Sequence, residues 1–202
     1  MSKGGQKMTV DWPVLLLVSI ILIIFPLILL LSLWRYRSIK QLMEQQALKR
    51  NGTVTGSFLL PVLKLSYHTL PVVVTSVPGS KYRQAKTEVI CTLYKPATAD
   101  LKITRETAMS RLGKTFISPD VTLGSDEFDR EFLIKTKNEA FARNILTFML
   151  QQKLLDMKQK KPRITLEGTW LSVKVPRVVK TEEEYDQLFD LAFTFIDRLQ
   201  EC

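Results

Sequence analysis

The sequence has a single histidine, two cysteines and only eight glycines in 202 residues. With His68 alone there is no second imidazole for a histidine-based metal site, and any Ser-His-Asp or Cys-His arrangement would have to use it. Cys91 and Cys202 lack a CxxC partner, which excludes zinc-ribbon and redox motifs and a disulfide-stapled mini-protein. The glycines are scattered, and Arg111-Leu112-Gly113-Lys114-Thr115 lacks the upstream half of a phosphate-cradling loop. Neither disorder nor a fibrous repeat fits a chain with 46% apolar and 24% charged residues. What is present is basic: 29 Lys and Arg against 20 Asp and Glu, a net charge of +9.

The longest uncharged run is residues 14–34, reaching about 31 Å as a helix, close to a bilayer's hydrocarbon thickness. Hydropathy therefore predicts a transmembrane helix there, with Trp12, Trp34 and Tyr36 as anchors at the membrane interface. Arg35, Arg37, Lys40, Lys49 and Arg50 outweigh Lys3 and Lys7, so the expected topology is an outside N-terminus, residues 1–13, and a cytoplasmic C-terminal domain. This amounts to a single-pass protein of a cell inner membrane. The basic stretch 35–52 carries a helical face of Ile39, Leu42, Met43, Gln46 and Ala47, and Asn51-Gly52 is expected to end it. Its cations, Arg35, Arg37 and Lys40 among them, are candidates for contact with anionic lipid headgroups or with a partner.

Residues 53–202 read as an α+β domain, mainly antiparallel strands with two packed helices. Short β-rich runs lie at 53–58, 62–67, 71–77, 86–94, 101–104 and 132–136, with a hairpin turning near Glu167-Gly168. The 86–94 run has no strongly charged face and is expected to be a central strand. Asn138 can cap one long helix reaching Met157, apolar over more than half its surface. Thr181-Glu182-Glu183-Glu184 is a capping box that opens the last helix.

The run Phe128-Asp129-Arg130-Glu131-Phe132-Leu133-Ile134-Lys135-Thr136, followed by Ala140, Ala142 and Leu146, resembles a pattern in bacterial membrane-anchored proteins whose cytoplasmic domain has no assigned function. The resemblance covers residues 120–163. It implies one or two N-terminal spans ahead of such a domain and supplies no catalytic residues.

Chemistry is sparse in the domain. His68 reads as a turn or surface residue and Cys91 as a packing residue in a strand. The acids Asp120, Asp126, Glu127, Asp129 and Glu131 miss EF-hand spacing and read as a solvated, capping turn. No metal, cofactor or catalytic residue is therefore assigned. Charge is more informative: residues 51–180 carry +10 and residues 181–202 carry −6. Asp186, Asp190 and Asp197 line one face of the last helix and are candidates for docking on a basic surface, in this chain or in a partner. Lys158, Lys160, Lys161 and Arg163 form a basic cluster, but without aromatics to stack bases it argues against nucleic acid.

The reading is a non-catalytic, membrane-anchored accessory or assembly subunit, a scaffold for protein–protein interaction in a larger inner-membrane complex of respiratory or photosynthetic type. The expected partners are the lipid bilayer and the other subunits. The alternatives are a membrane-tethered enzyme using the acids at 126–131 and a lipid-surface or envelope-maintenance protein.

Overall fold

A computed structural model describes residues 12–57, 60–105 and 121–201. The chain divides into two compact units between Ser38 and Ile39. In the first unit, residues 12–38 form the first part of helix α1 (Trp12–Lys49). Pro26 lies inside this part, and large apolar side chains such as Leu22 and Ile23 stand exposed.

The structure corrects the membrane assignment. Among the described residues, no helix is long and apolar enough to cross a membrane. The apolar run is the beginning of a helix of mixed character, which continues through Arg37, Lys40 and Glu44 to Lys49. The span at 14–34 is accordingly withdrawn. With it go the single-pass inner-membrane placement, the outside-to-inside topology, and the role of Trp12, Trp34 and Tyr36 as anchors bracketing a span.

The second unit starts with the last turns of α1. Ile39, Met43, Gln46 and Ala47 are buried and Leu42 is half-buried, as the 3–4 spacing of that face requires. The helix stops in a Schellman arrangement. Asn51 takes φ +51, and the Gly52 N–H returns to the Ala47 carbonyl at 2.8 Å. Gly52 is required at that point, because a Cβ there would stand 2.8 Å from the Lys64 carbonyl oxygen.

Among the described residues eight strands follow: β1 (Thr53–Ser57), β2 (Leu60–Tyr67), β3 (Leu70–Val77), β4 (Lys86–Thr92), β5 (Leu101–Arg105), β6 (Phe132–Thr136), β7 (Arg163–Glu167) and β8 (Trp170–Val175). They form one antiparallel sheet in the order β1-β2-β3-β4-β8-β7-β5-β6. β4 is central, and the expected β7–β8 hairpin turns at Gly168, φ +55. The helices are α2 (Asp126–Glu131), α3 (Glu139–Ile145), α4 (Phe148–Asp156) and α5 (Glu182–Glu201). The α+β antiparallel class stands as expected; the single helix over 138–157 does not. Asn138 caps α3 through its side chain to the Phe141 N–H, but the chain then breaks at Leu146–Thr147 and restarts as α4. The break resets the helical phase, so Phe148 points out and is 74% exposed. Phe141, also counted on that apolar surface, is 7% exposed.

The core lies on one face of the sheet. Leu63, Val72, Val74, Val89, Cys91, Ile103, Ile164 and Val173 meet Met43 of α1, Ile145 of α3, Leu150 and Leu154 of α4, and Leu188, Phe189 and Phe195 of α5. Each such side chain, fully removed from water, contributes roughly 1.5–3 kcal/mol. The helices therefore form a single layer, and the pleat sends every second strand residue to the other face. Val62, Val73, Ile90 and Leu133 lie there. They are half-buried and form no part of the core cluster.

Candidate functional site

The second face is best followed row by row across the sheet. One row of paired positions runs Thr53, Lys64, Val73, Ile90, Ser172, Thr165, Lys102, Lys135. The next runs Thr55, Val62, Thr75, Glu88, Lys174, Arg163, Thr104, Leu133. Alternation adds Lys86 and Glu167 to the same face. Six cations thus face two carboxylates on a surface that no described helix covers.

Glu88 sits near the middle of that face and is only 6% exposed. Its carboxylate accepts from Ser172 Oγ at 2.6 Å and from Lys86 Nζ at 2.5 Å. Burial pushes its pKa up. The hydrogen bonds from Lys86 and Ser172, with the charges of Lys86 and Lys174, more than offset this and hold it below the ordinary glutamate value of 4.5. A depressed carboxylate contributes stability above its unfolded pKa and loses it as pH falls through the folded one. Acid titration of the folded chain is therefore expected to show part of its stability loss below about pH 4.5 arising from Glu88. Glu88→Gln should flatten that part of the slope; an unaltered slope would mean the three hydrogen-bonded groups do not interact as described.

Where this face reaches the ends of β4, β5, β7 and β8, a groove of about 720 Å³ opens. Lys86, Arg105, Lys160, Lys161, Arg163, Lys174 and Arg177 line it, and among the described residues no acidic and no aromatic side chain does. Three of these cations have carboxylate partners: Lys86 with Glu88, Arg105 with Glu131 at 3.2 Å, and Arg177 with Glu184. Lys160 donates to Gln187, and burial lowers its pKa; the Arg177 charge lowers it further, against the Glu184 charge, which raises it. Lys161, Arg163 and Lys174 make no ion pair among the described residues.

The residues singled out in the sequence are dispersed. Asp186 pairs with Lys49 at 2.6 Å and Arg50 at 2.7 Å, Asp190 with Lys153, and Asp197 with His68 at 3.3 Å and with the Tyr67 hydroxyl at 3.1 Å. The acidic face of α5 therefore meets cations of its own chain, some from the end of α1. Lys40 bridges to Glu44 at 3.6 Å, Arg37 is exposed, and the Arg35 side chain lies outside the described residues. His68 is exposed in the two-residue turn between β2 and β3, where it and Thr69 both have positive φ. Cys91 is buried in the core, and burial pushes its thiol up to about 11, which suppresses the reactive thiolate.

The acidic turn is in fact the short helix α2. Asp129 accepts the N–H groups of Leu123 and Gly124, Glu127 pairs with Lys158 at 3.1 Å, and Glu131 pairs with Arg105. Asp120 and the Gly113-Lys114-Thr115 run lie outside the described residues. In the Phe128–Thr136 run that carried the family resemblance, Phe128 and Phe132 stack at 5.0 Å and are both buried, so the aromatic spacing serves packing. No group of His, Cys, Asp and Glu among the described residues could hold a metal ion.

This geometry defines an antiparallel α+β domain with one helical layer, an open basic sheet face and a cationic groove at its rim. No family model and no curated protein matches the chain. Among solved structures, the crystal structure of the mycobacterial trehalose monomycolate transport factor A, TtfA, is similar with a TM-score of 0.56. The match covers 81% of this chain and 95% of that one at 11% identity, a likeness of fold alone. That neighbour is described as a transport factor.

Proposed function

We propose that the chain is a non-catalytic accessory or assembly protein that holds an acidic partner protein against the open face of its sheet. One observation carries this reading: among the described residues the eight strands are covered by helices on one face only, and the other face presents six cations to two carboxylates. Half-buried Val73 and Ile90 between those cations give a partner apolar area as well as charge. Three of the acids at 126–131, the basis of the enzyme alternative, are engaged, Asp129 with backbone N–H groups and Glu127 and Glu131 in ion pairs, which disfavours it. The likeness in fold to a transport factor agrees with a non-catalytic role.

Capture of the full chain from gently opened cells at low salt, followed by light scattering, tests the reading. The expected result is a discrete complex of fixed stoichiometry that dissociates as salt shortens the range of the charges. A chain that elutes alone as a monomer at low salt would contradict it.

A further inference from the structure

The groove at the rim of the sheet has a charge problem that the partner-docking reading leaves untouched. Among the described residues its lining contains no carboxylate, Lys161 and Arg163 make no ion pair, and Lys174 shares its cross-strand neighbour Glu88 with Lys86. Burial holds Lys160 below its ordinary pKa, and the Arg177 charge lowers it further, against the Glu184 charge, which raises it. Lys161 precedes a proline yet is held left-handed at φ 52 and ψ 55, a strained conformation at the groove wall.

The shape narrows the ligand. A concavity of about 720 Å³ falls in the range of small-ligand sites, and is unlike the flat sheet face beside it. Among the described residues no aromatic ring lines the groove, so they offer no platform on which a nucleobase could stack. Seven lining cations against the three carboxylates that pair with them, Glu88, Glu131 and Glu184, leave an excess that calls for an anion carrying more than one charge, which a single carboxylate does not supply. The Arg163 guanidinium offers a planar fork suited to two oxygens of one tetrahedral group, and Lys161 and Lys174 act as point charges around it. From this we infer that the groove is a binding site for a compact, multiply charged phosphate ester, from a soluble phosphorylated molecule or from a phosphorylated lipid headgroup.

The test uses the full chain and three forms of it: wild type, Arg163→Gln/Lys174→Gln, and Lys64→Gln/Lys135→Gln. The last removes the same charge from the same face outside the groove. All four positions contribute no core side chain, so both variants should fold, and circular dichroism with thermal melting checks that they do. Calorimetric titration with inorganic pyrophosphate probes the soluble source. Co-sedimentation with phosphatidylcholine vesicles, with and without phosphatidic acid, probes the headgroup. The expected result is saturable binding of at least one probe, weakened about tenfold or more in the groove variant and within about twofold of wild type in the control; tenfold corresponds to about 1.4 kcal/mol. Binding of pyrophosphate alone identifies a soluble source, and binding that needs phosphatidic acid identifies the headgroup. No binding of either probe, or equal losses in the two variants, overturns the inference. Neither outcome bears on partner docking, which is read from complex mass rather than from phosphate binding.

Discussion

Phe141→Ala is expected to cost about 3–5 kcal/mol of unfolding free energy, and Phe148→Ala within about 0.5. Both phenylalanines fall on what reads in sequence as one wide apolar helix surface. The structure separates them. Phe141 sits in α3, 7% exposed, within the cluster that joins helices to sheet. Between them Leu146 leaves helical geometry at φ −83 and ψ 62, and the Gln151 side chain donates to its carbonyl at 2.8 Å, satisfying a group the break would otherwise orphan. Thr147 then starts α4, and Phe148, as its first residue, faces water. Urea unfolding of the two variants decides it. Equal, large losses would mean that one continuous helix runs through 147.

Met43→Asp is expected to be the more damaging of two changes made only five residues apart, costing about 3–5 kcal/mol, whereas Leu48→Ala should stay within about 0.5. Met43 is fully buried in the domain core and Leu48 is 84% exposed. An aspartate at position 43 would leave a cavity and also place a charge where none of the core side chains can pair with it. The Schellman end at Asn51-Gly52 and the pairs from Lys49 and Arg50 to Asp186 hold the same stretch against the final helix. Chemical unfolding of both variants is the check. Similar small shifts would show that residues 39–49 lie outside the cooperative unit.

Much of this domain is legible in the sequence because its strands obey local rules. The β-rich runs bounded by proline and glycine become β1 to β8 nearly in place, and the final helix opens where its cap says. There the Thr181 hydroxyl accepts from the Glu184 N–H at 3.3 Å, and the Glu184 carboxylate reaches back to the Lys180 N–H at 3.1 Å. The α1 face from Ile39 to Ala47 was equally plain from its spacing. The break at Thr147 was not, because its flanking residues are all compatible with helix and the tertiary packing decides. Hydropathy alone also misread residues 14–34, since a window score does not see that the helix continues through charged residues and that its later turns belong to the domain. The groove was hidden for a different reason. Its cations stand at 86, 105, 160, 161, 163, 174 and 177, and only the pairing of β4 with β8, β8 with β7 and β7 with β5 brings them together. Lys160, Lys161 and Arg163 were visible as a basic cluster; their neighbours were not. The acidic stripe of α5 had two possible counterparts, and the ion pairs to Lys49, Arg50 and Lys153 place its counterpart in the same chain.

Whether the open sheet face is the working surface is measured directly by lysine acylation followed by mass spectrometry. The purified chain and the complex isolated at low salt are labelled in parallel. Lys64, Lys102 and Lys135 are all exposed on the open face, whereas Lys49 and Lys137 lie beside the helices. The account expects the first three to lose reactivity in the complex and the last two to keep it. Protection of Lys49 and Lys137, with Lys64, Lys102 and Lys135 unchanged, would contradict it.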